Sequence, residues 1–126
     1  MARILTPTLA VIAVAVPAVA LACGACIEDR IAATYDHATV TAAAASGHQV
    51  VFGAIEGAVD PRRAGQRIRA LAPKIHGVHG KTLHVSVDPA AFSFALDRRA
   101  TPQSVIDELE RRVGIAGLRL TVIRVQ

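Results

Sequence analysis

Cys23 and Cys26 stand in the run Cys23-Gly24-Ala25-Cys26 and are the two cysteines of the chain. Positions i and i+3 share one turn of a helix, so both thiolates can converge on one soft ion. Thiolates select Cu(I) or Zn(II) over hard cations. The same spacing serves thiol–disulfide exchange, in which a helix N-terminus stabilises the first thiolate. A redox pair of that kind normally follows a strand, whereas here an apolar run precedes it. Metal binding is therefore the stronger expectation. A third reading makes Cys23 a processing residue and Cys26 a small apolar side chain.

The histidines are a weaker signal. His76-Gly77-Val78-His79 carries two imidazoles suited to Cu(II) or Zn(II), and His84 follows on a strand. The glycines at 77 and 80 are equally well explained as turn residues, which favours a plain loop. His37 falls on the helical face of Cys26, but at about 1.5 Å per residue the two lie roughly 16 Å apart in a straight helix. They cannot share an ion there. His48, at a strand start, carries no signal of its own. Arg62, Arg63, Arg67, Arg69 and Lys74 form a basic face that reads first as a solvated helix surface. No Ser/His/Asp order with a nucleophile elbow, no phosphate loop and no carboxylate pair with a plausible pocket is seen, so an enzyme is not expected.

The elements around these residues begin with Met1-Ala2-Arg3 and an uncharged stretch from Ile4 to Ala22. A short basic start, an apolar run and the small residues Ala20 and Ala22 make an export signal, cut before Cys23. Two other outcomes use the same residues. Ala20-Leu21-Ala22-Cys23 loosely matches a lipobox, in which Cys23 would carry lipid and lose its thiol. Retention as a bilayer anchor is opposed by Pro7 and Pro17. All three place the remainder outside the cytoplasm, periplasmic or secreted. The expected division is 1–22 signal peptide, 23–46 N-terminal helix and 47–126 folded domain.

Composition sets limits on partners. With 126 residues, 52% hydrophobic, there is room for one domain with an ordinary apolar core. Two cysteines are too few for a disulfide framework. Fourteen basic side chains against ten acidic ones, few aromatics and an export signal argue against nucleic acid.

Along the mature chain, 23–45 reads as one helix ending at Ser46-Gly47, with Ile27, Ile31, Tyr35 and Ala38 on its buried side. His48 to Ile55 reads as a central strand. Asp60-Pro61 caps a helix that runs to Pro73, and Thr101-Pro102 repeats the device before Val105, Ile106, Leu109 and Val113. Between them Lys81–Asp88 and Phe92–Leu96 alternate as a hairpin, and Leu118–Val125 is the last strand. The fold class is thus α+β: a ferredoxin-like βαββαβ sandwich preceded by an N-terminal helix and a signal peptide. One sheet face, including Thr82, His84, Ser86, Arg119 and Thr121, is left for water, for the N-terminal helix or for a second copy in a homodimer.

Residues 47–126 resemble the heavy-metal-associated domain, the small module of copper chaperones and metal-transporting ATPases. The likeness is carried by Ile75-His76-Gly77-Val78, Val85-Ser86-Val87-Asp88, Phe92-Ser93-Phe94-Ala95-Leu96-Asp97 and Thr101-Pro102 leading into Val105-Ile106-Asp107-Glu108-Leu109. That family holds its metal on a Gly-Met-x-Cys-x-x-Cys loop after the first strand. Here the loop is Ile55-Glu56-Gly57-Ala58-Val59-Asp60, without cysteine, so no ligand carries over. The resemblance implies the fold and a metal-handling role. The expectation is an exported protein with Cys23 and Cys26 as ligands of Cu(I) or Zn(II), exchanging the ion with a donor or acceptor protein. A metal-free interaction module, lipid-anchored at Cys23 or soluble, and a thiol-disulfide protein are the alternatives.

Overall fold

In the computed structural model, residues 19–126 are described; for 19–26 this is the helical backbone alone. The expected export segment therefore lies largely outside the described residues, as do the side chains of Cys23 and Cys26. The elements run α1 (Val19–Thr34), α2 (His37–Ala45), β1 (His48–Glu56), α3 (Pro61–Leu71), β2 (Val78–Val87), β3 (Ala90–Asp97), α4 (Pro102–Val113) and β4 (Arg119–Val125), with a 3-10 turn at Ala72–Lys74. The fold is α+β, and its antiparallel sheet has the order β2-β3-β1-β4. Order and pairing are compatible with the expected ferredoxin-like arrangement. No helix among the described residues is long and apolar enough to cross a membrane.

Local chemistry sets the ends of α3 and α4. The Asp60 carboxylate accepts the Arg62 N–H at 3.0 Å, and Pro61 supplies a first helical position that needs no N–H partner. α4 also begins with proline, but Thr101 makes no side-chain cap bond, unlike the expected device. It ends on Gly114, whose φ of 62° is the left-handed value that glycine adopts freely. From the basic face of α3, Arg67 donates to the Val113 and Arg112 carbonyls, both at 3.2 Å, and so satisfies free acceptors at the end of α4.

The two helices cover one face of the sheet. Val51, Ile55, Phe92, Phe94, Leu96 and Leu120 meet Ala64 and Ile68 of α3 and Ile106, Leu109 and Val113 of α4 in the main core. Each fully buried large aliphatic or aromatic side chain there contributes about 1.5–3 kcal/mol.

The other face corrects the sequence reading in two ways. The single N-terminal helix is broken after Thr34, because the Asp36 carboxylate accepts the Ala38 N–H at 3.2 Å and the Thr39 hydroxyl at 2.7 Å, starting α2 afresh. The Asp36 side chain is thus the N-cap of a second helix. The expected buried stripe is also interrupted: Ile31 is buried, but Ile27, Tyr35 and Ala38 are exposed. Ile31 and Ala43 pack on Val50, Phe52 and Ala95 in a second, smaller core, so α1 and α2 cover this side of the sheet. Ion pairs Arg124–Glu28 at 2.7 Å and Arg30–Glu56 at 3.2 Å tie α1 to β4 and β1. At its other end the buried Ser93 hydroxyl donates to the Thr34 carbonyl at 2.8 Å.

β2 starts earlier than Lys81. Val78 and His79 pair with Leu96 and Ala95, and the register then shifts before His84. Within that irregularity the Thr82 hydroxyl donates to the His79 carbonyl at 2.6 Å and accepts the Ala95 N–H at 2.8 Å, bridging the two strands.

Candidate metal centre

Three strands deliver one side chain each to the end of the sheet beneath α2. His48 opens β1 directly after Gly47, whose φ of 71° turns the chain from α2 into the sheet. Asp97 closes β3 and is the register partner of His48. His79, near the start of β2, pairs with Ala95, two residues before Asp97. Residues two apart on a strand share a face, so Ala95 and Asp97 point alike, and with them their partners His79 and His48.

His79 Nε2 lies 2.8 Å from Asp97 Oδ1 and His48 Nε2 lies 3.5 Å from the same oxygen. The imidazoles stack with centroids 4.0 Å apart and planes inclined by 27°. One donor atom from each residue falls within 4.8 Å of the others. A tetrahedral ion with bonds of about 2.0–2.1 Å needs donors roughly 3.4 Å apart, so small side-chain rotations suffice to seat one. The donor set, two imidazoles and a carboxylate, suits Zn(II) and Cu(II).

The backbone around the cluster is held from several sides. The Gln49 amide donates to the carbonyls of Asp97 at 3.1 Å and Ala100 at 3.0 Å, fixing the chain as it leaves β3. The Asp97 N–H donates to the Gly77 carbonyl at 3.0 Å, and the Thr82 bridge holds His79. The His79 hydrogen bond, helped by the charge of His79, His48 and His76, holds the Asp97 carboxyl below its ordinary range against a smaller opposing effect of burial. It is therefore an anion and a competent ligand near neutral pH. All three side chains are partly exposed, which leaves a path for an ion to enter.

Three hollows meet at this cluster. One of about 230 Å³ lies under α2, against Thr39, Ala43, His48 and His79. A second of about 270 Å³ is lined by His76, Gly77, Asp97, Arg99 and Ala100. A third of about 360 Å³ is lined by Ser46, Gly47, His48, Asp97, Arg98 and Arg99.

Of the residues singled out from sequence, His79 is in the cluster, and its loop neighbour His76 is outside it but lines a hollow shared with Asp97. His84 Nε2 faces Asp36 Oδ2 at 3.5 Å instead. His37 sits between the Tyr35 hydroxyl at 3.4 Å and the Thr41 hydroxyl at 3.5 Å. His48 and Asp97 were missed. The signal that finds them is the strand order, because in a 2-3-1-4 sheet the first residue of β1 stands opposite the last of β3. The backbone of Cys23 and Cys26 lies one turn apart in α1. Arg30, one turn after Cys26, binds Glu56 at the opposite end of β1 from His48, roughly 26 Å away at 3.3 Å per residue. In comparisons with protein-family models, curated proteins and solved structures, nothing matches this chain.

Proposed function

We propose that the chain is an exported metal-binding protein, a ferredoxin-like sandwich that holds one borderline divalent ion, Zn(II) or Cu(II), on His48, His79 and Asp97. The observation that carries this reading is the convergence of those three donors from three separate strands on one point. Two half-exposed imidazoles beside a carboxylate kept ionised make a site that can load and release, as a carrier or buffer requires. The role is binding and transfer rather than catalysis, in the periplasm or in secretion.

Cys23 and Cys26 form, in the same proposal, a second and softer site for Cu(I) at the mature N-terminus, from which the ion passes to a partner protein by ligand exchange. The cysteine spacing and the resemblance to heavy-metal-associated domains support it. Equal Cu(I) content in the wild type and a Cys23→Ser/Cys26→Ser chain, handled without oxygen, would remove this second site.

Calorimetric titration of Zn(II) into the Cys23→Ser/Cys26→Ser chain tests the first site alone. One equivalent is expected to bind, and His48→Ala or His79→Ala to weaken it by at least about 100-fold, since each removes a direct ligand where loss of an outer-shell partner already costs 10–100-fold. Absence of binding, or equal binding in the histidine variants, moves the reading to a metal-free interaction module.

A further inference from the structure

We propose that an ion held by His48, His79 and Asp97 completes its coordination with a small oxyanion, a carboxylate or phosphate oxygen, clamped by Arg99 with Arg98 beside it. The inference rests on the metal reading above and names the exogenous ligand of that site.

Three protein donors leave at least one position of a four-coordinate ion open. The surroundings decide what fills it. Asp97 opens into two of the three hollows at the cluster, and Arg99 lines both. In the larger, about 360 Å³, Arg98 stands with it and the Ser46-Gly47 turn forms another part of the wall. Among the described residues neither guanidinium takes part in an ion pair. The third hollow, under α2, is lined by hydroxyl, alanine and imidazole side chains and offers no cation.

Charge points the same way. A divalent ion with one carboxylate ligand keeps a net positive charge, and two guanidiniums beside it make the vacant position favour an anion over neutral water. Arginine presents a planar fork that grips a carboxylate or phosphate through two parallel N–H bonds, so one oxygen can reach the ion while others engage Arg99. The hollow is at the small end of ligand pockets, which run from about 300 to 1,000 Å³. That size suits a small anion. His76 is the competing occupant, since it lines the hollow of about 270 Å³ with Asp97 and Arg99. It lies outside the set of mutually close donors. Binding is a ligand exchange: water leaves the ion as the oxyanion oxygen arrives, with no change in oxidation state.

The test loads the full Cys23→Ser/Cys26→Ser chain with Co(II) and follows the visible ligand-field spectrum during separate titrations with acetate and with inorganic phosphate at constant ionic strength, retained Co(II) being measured after gel filtration. A saturable spectral change is expected with at least one anion, and the anion that produces it distinguishes carboxylate from phosphate recognition. In Arg99→Gln the anion should bind about tenfold more weakly while Co(II) content is unchanged, the loss expected for one partly screened charge-assisted contact. No saturable change with either anion, or equal affinity in Arg99→Gln, overturns the proposal while leaving the metal site standing. A His76→Ala chain whose anion-free spectrum already differs from its parent's would show that His76 fills the position, which also overturns it. Failure to retain Co(II) before any anion is added sinks the metal reading itself.

Discussion

Saturating Zn(II) is expected to raise the melting temperature of the cysteine-free chain by about 10 °C, and the size of the shift follows from how the site is built. His48, His79 and Asp97 belong to β1, β2 and β3 and meet only once those strands are paired in register. The unfolded chain has no equivalent site, so the binding free energy becomes folding free energy. With free Zn(II) held at 100 times the measured Kd, the linkage is about 2.7 kcal/mol. A domain of about 100 residues gains roughly 4 °C or more for each kcal/mol, which gives about 10 °C. Replacing Cys23 and Cys26 by serine removes the thiolates that would otherwise bind metal in the unfolded state and reduce the effect. The assay is scanning calorimetry of the variant with and without Zn(II), each sequence compared with its own metal-free form. In His79→Ala the shift at the same Zn(II) should fall below about 2 °C, corresponding to less than about 0.5 kcal/mol of linkage. A full shift that survives His79→Ala would place the ion elsewhere, and no shift at saturation would refute the link between folding and the site.

Ser93→Ala removes the buried hydroxyl that donates to the Thr34 carbonyl and should cost about 1–3 kcal/mol, with faster amide exchange in α1 than in α4. Gly57→Ala should be more severe, about 3 kcal/mol or more by denaturant unfolding, because φ is 101° there and the new Cβ would run into the Gly117 carbonyl oxygen. Near-neutral behaviour of Gly57→Ala would contradict the packing of these two turns. The Asp36 carboxyl is held below the ordinary 3.8 mainly by the Thr39 hydroxyl, with help from the Ala38 N–H and the charge of His84, against a smaller opposing effect of burial. A depressed folded-state value means that its contribution is complete above the unfolded value and is lost as pH falls through the folded one. Amide protection factors in α2, taken against the intrinsic exchange rate at each pH, should therefore fall below about pH 4, and Asp36→Asn should flatten that dependence.

The parts of the fold that depend on local rules are legible in the chain. Asp60-Pro61 starts α3 and Pro73 stops it, and the alternation of Phe92, Phe94 and Leu96 marks β3 with its core face correct. Where one residue type has two roles, the pattern misleads. Asp36 fits a solvated helix stripe as well as a cap, and its hydrogen bonds to Ala38 and Thr39 choose the cap. The start of β2 is hidden because Gly77 and Gly80 look like turn residues, while pairing with β3 draws Val78 and His79 into the sheet and Gly80 packs close to Pro73.

The cluster of His48, His79 and Asp97 was legible only in part. His79 stands out beside His76 by spacing, but spacing selects the wrong companion. Its companions His48 and Asp97 are brought to it by strand order and register, which no local window contains. Those two residues lie at the ends of their strands, where hydrophobic alternation gives out and nothing marks them as neighbours of His79. The cysteine pair is the reverse case: conspicuous in sequence, it sits on a helix whose anchoring contacts lead to the other end of β1.

Imidazole nitrogen NMR reads the proposed donor atoms of His48 and His79 directly. Zn(II) titrated into the ¹⁵N-labelled Cys23→Ser/Cys26→Ser chain should shift the Nε2 resonances of His48 and His79 together, complete at one equivalent, while those of His37 and His84 stay in place. Shifts at His37 or His84 in place of that pair, or no imidazole response at one equivalent, would contradict the assignment of His48, His79 and Asp97 as the metal centre.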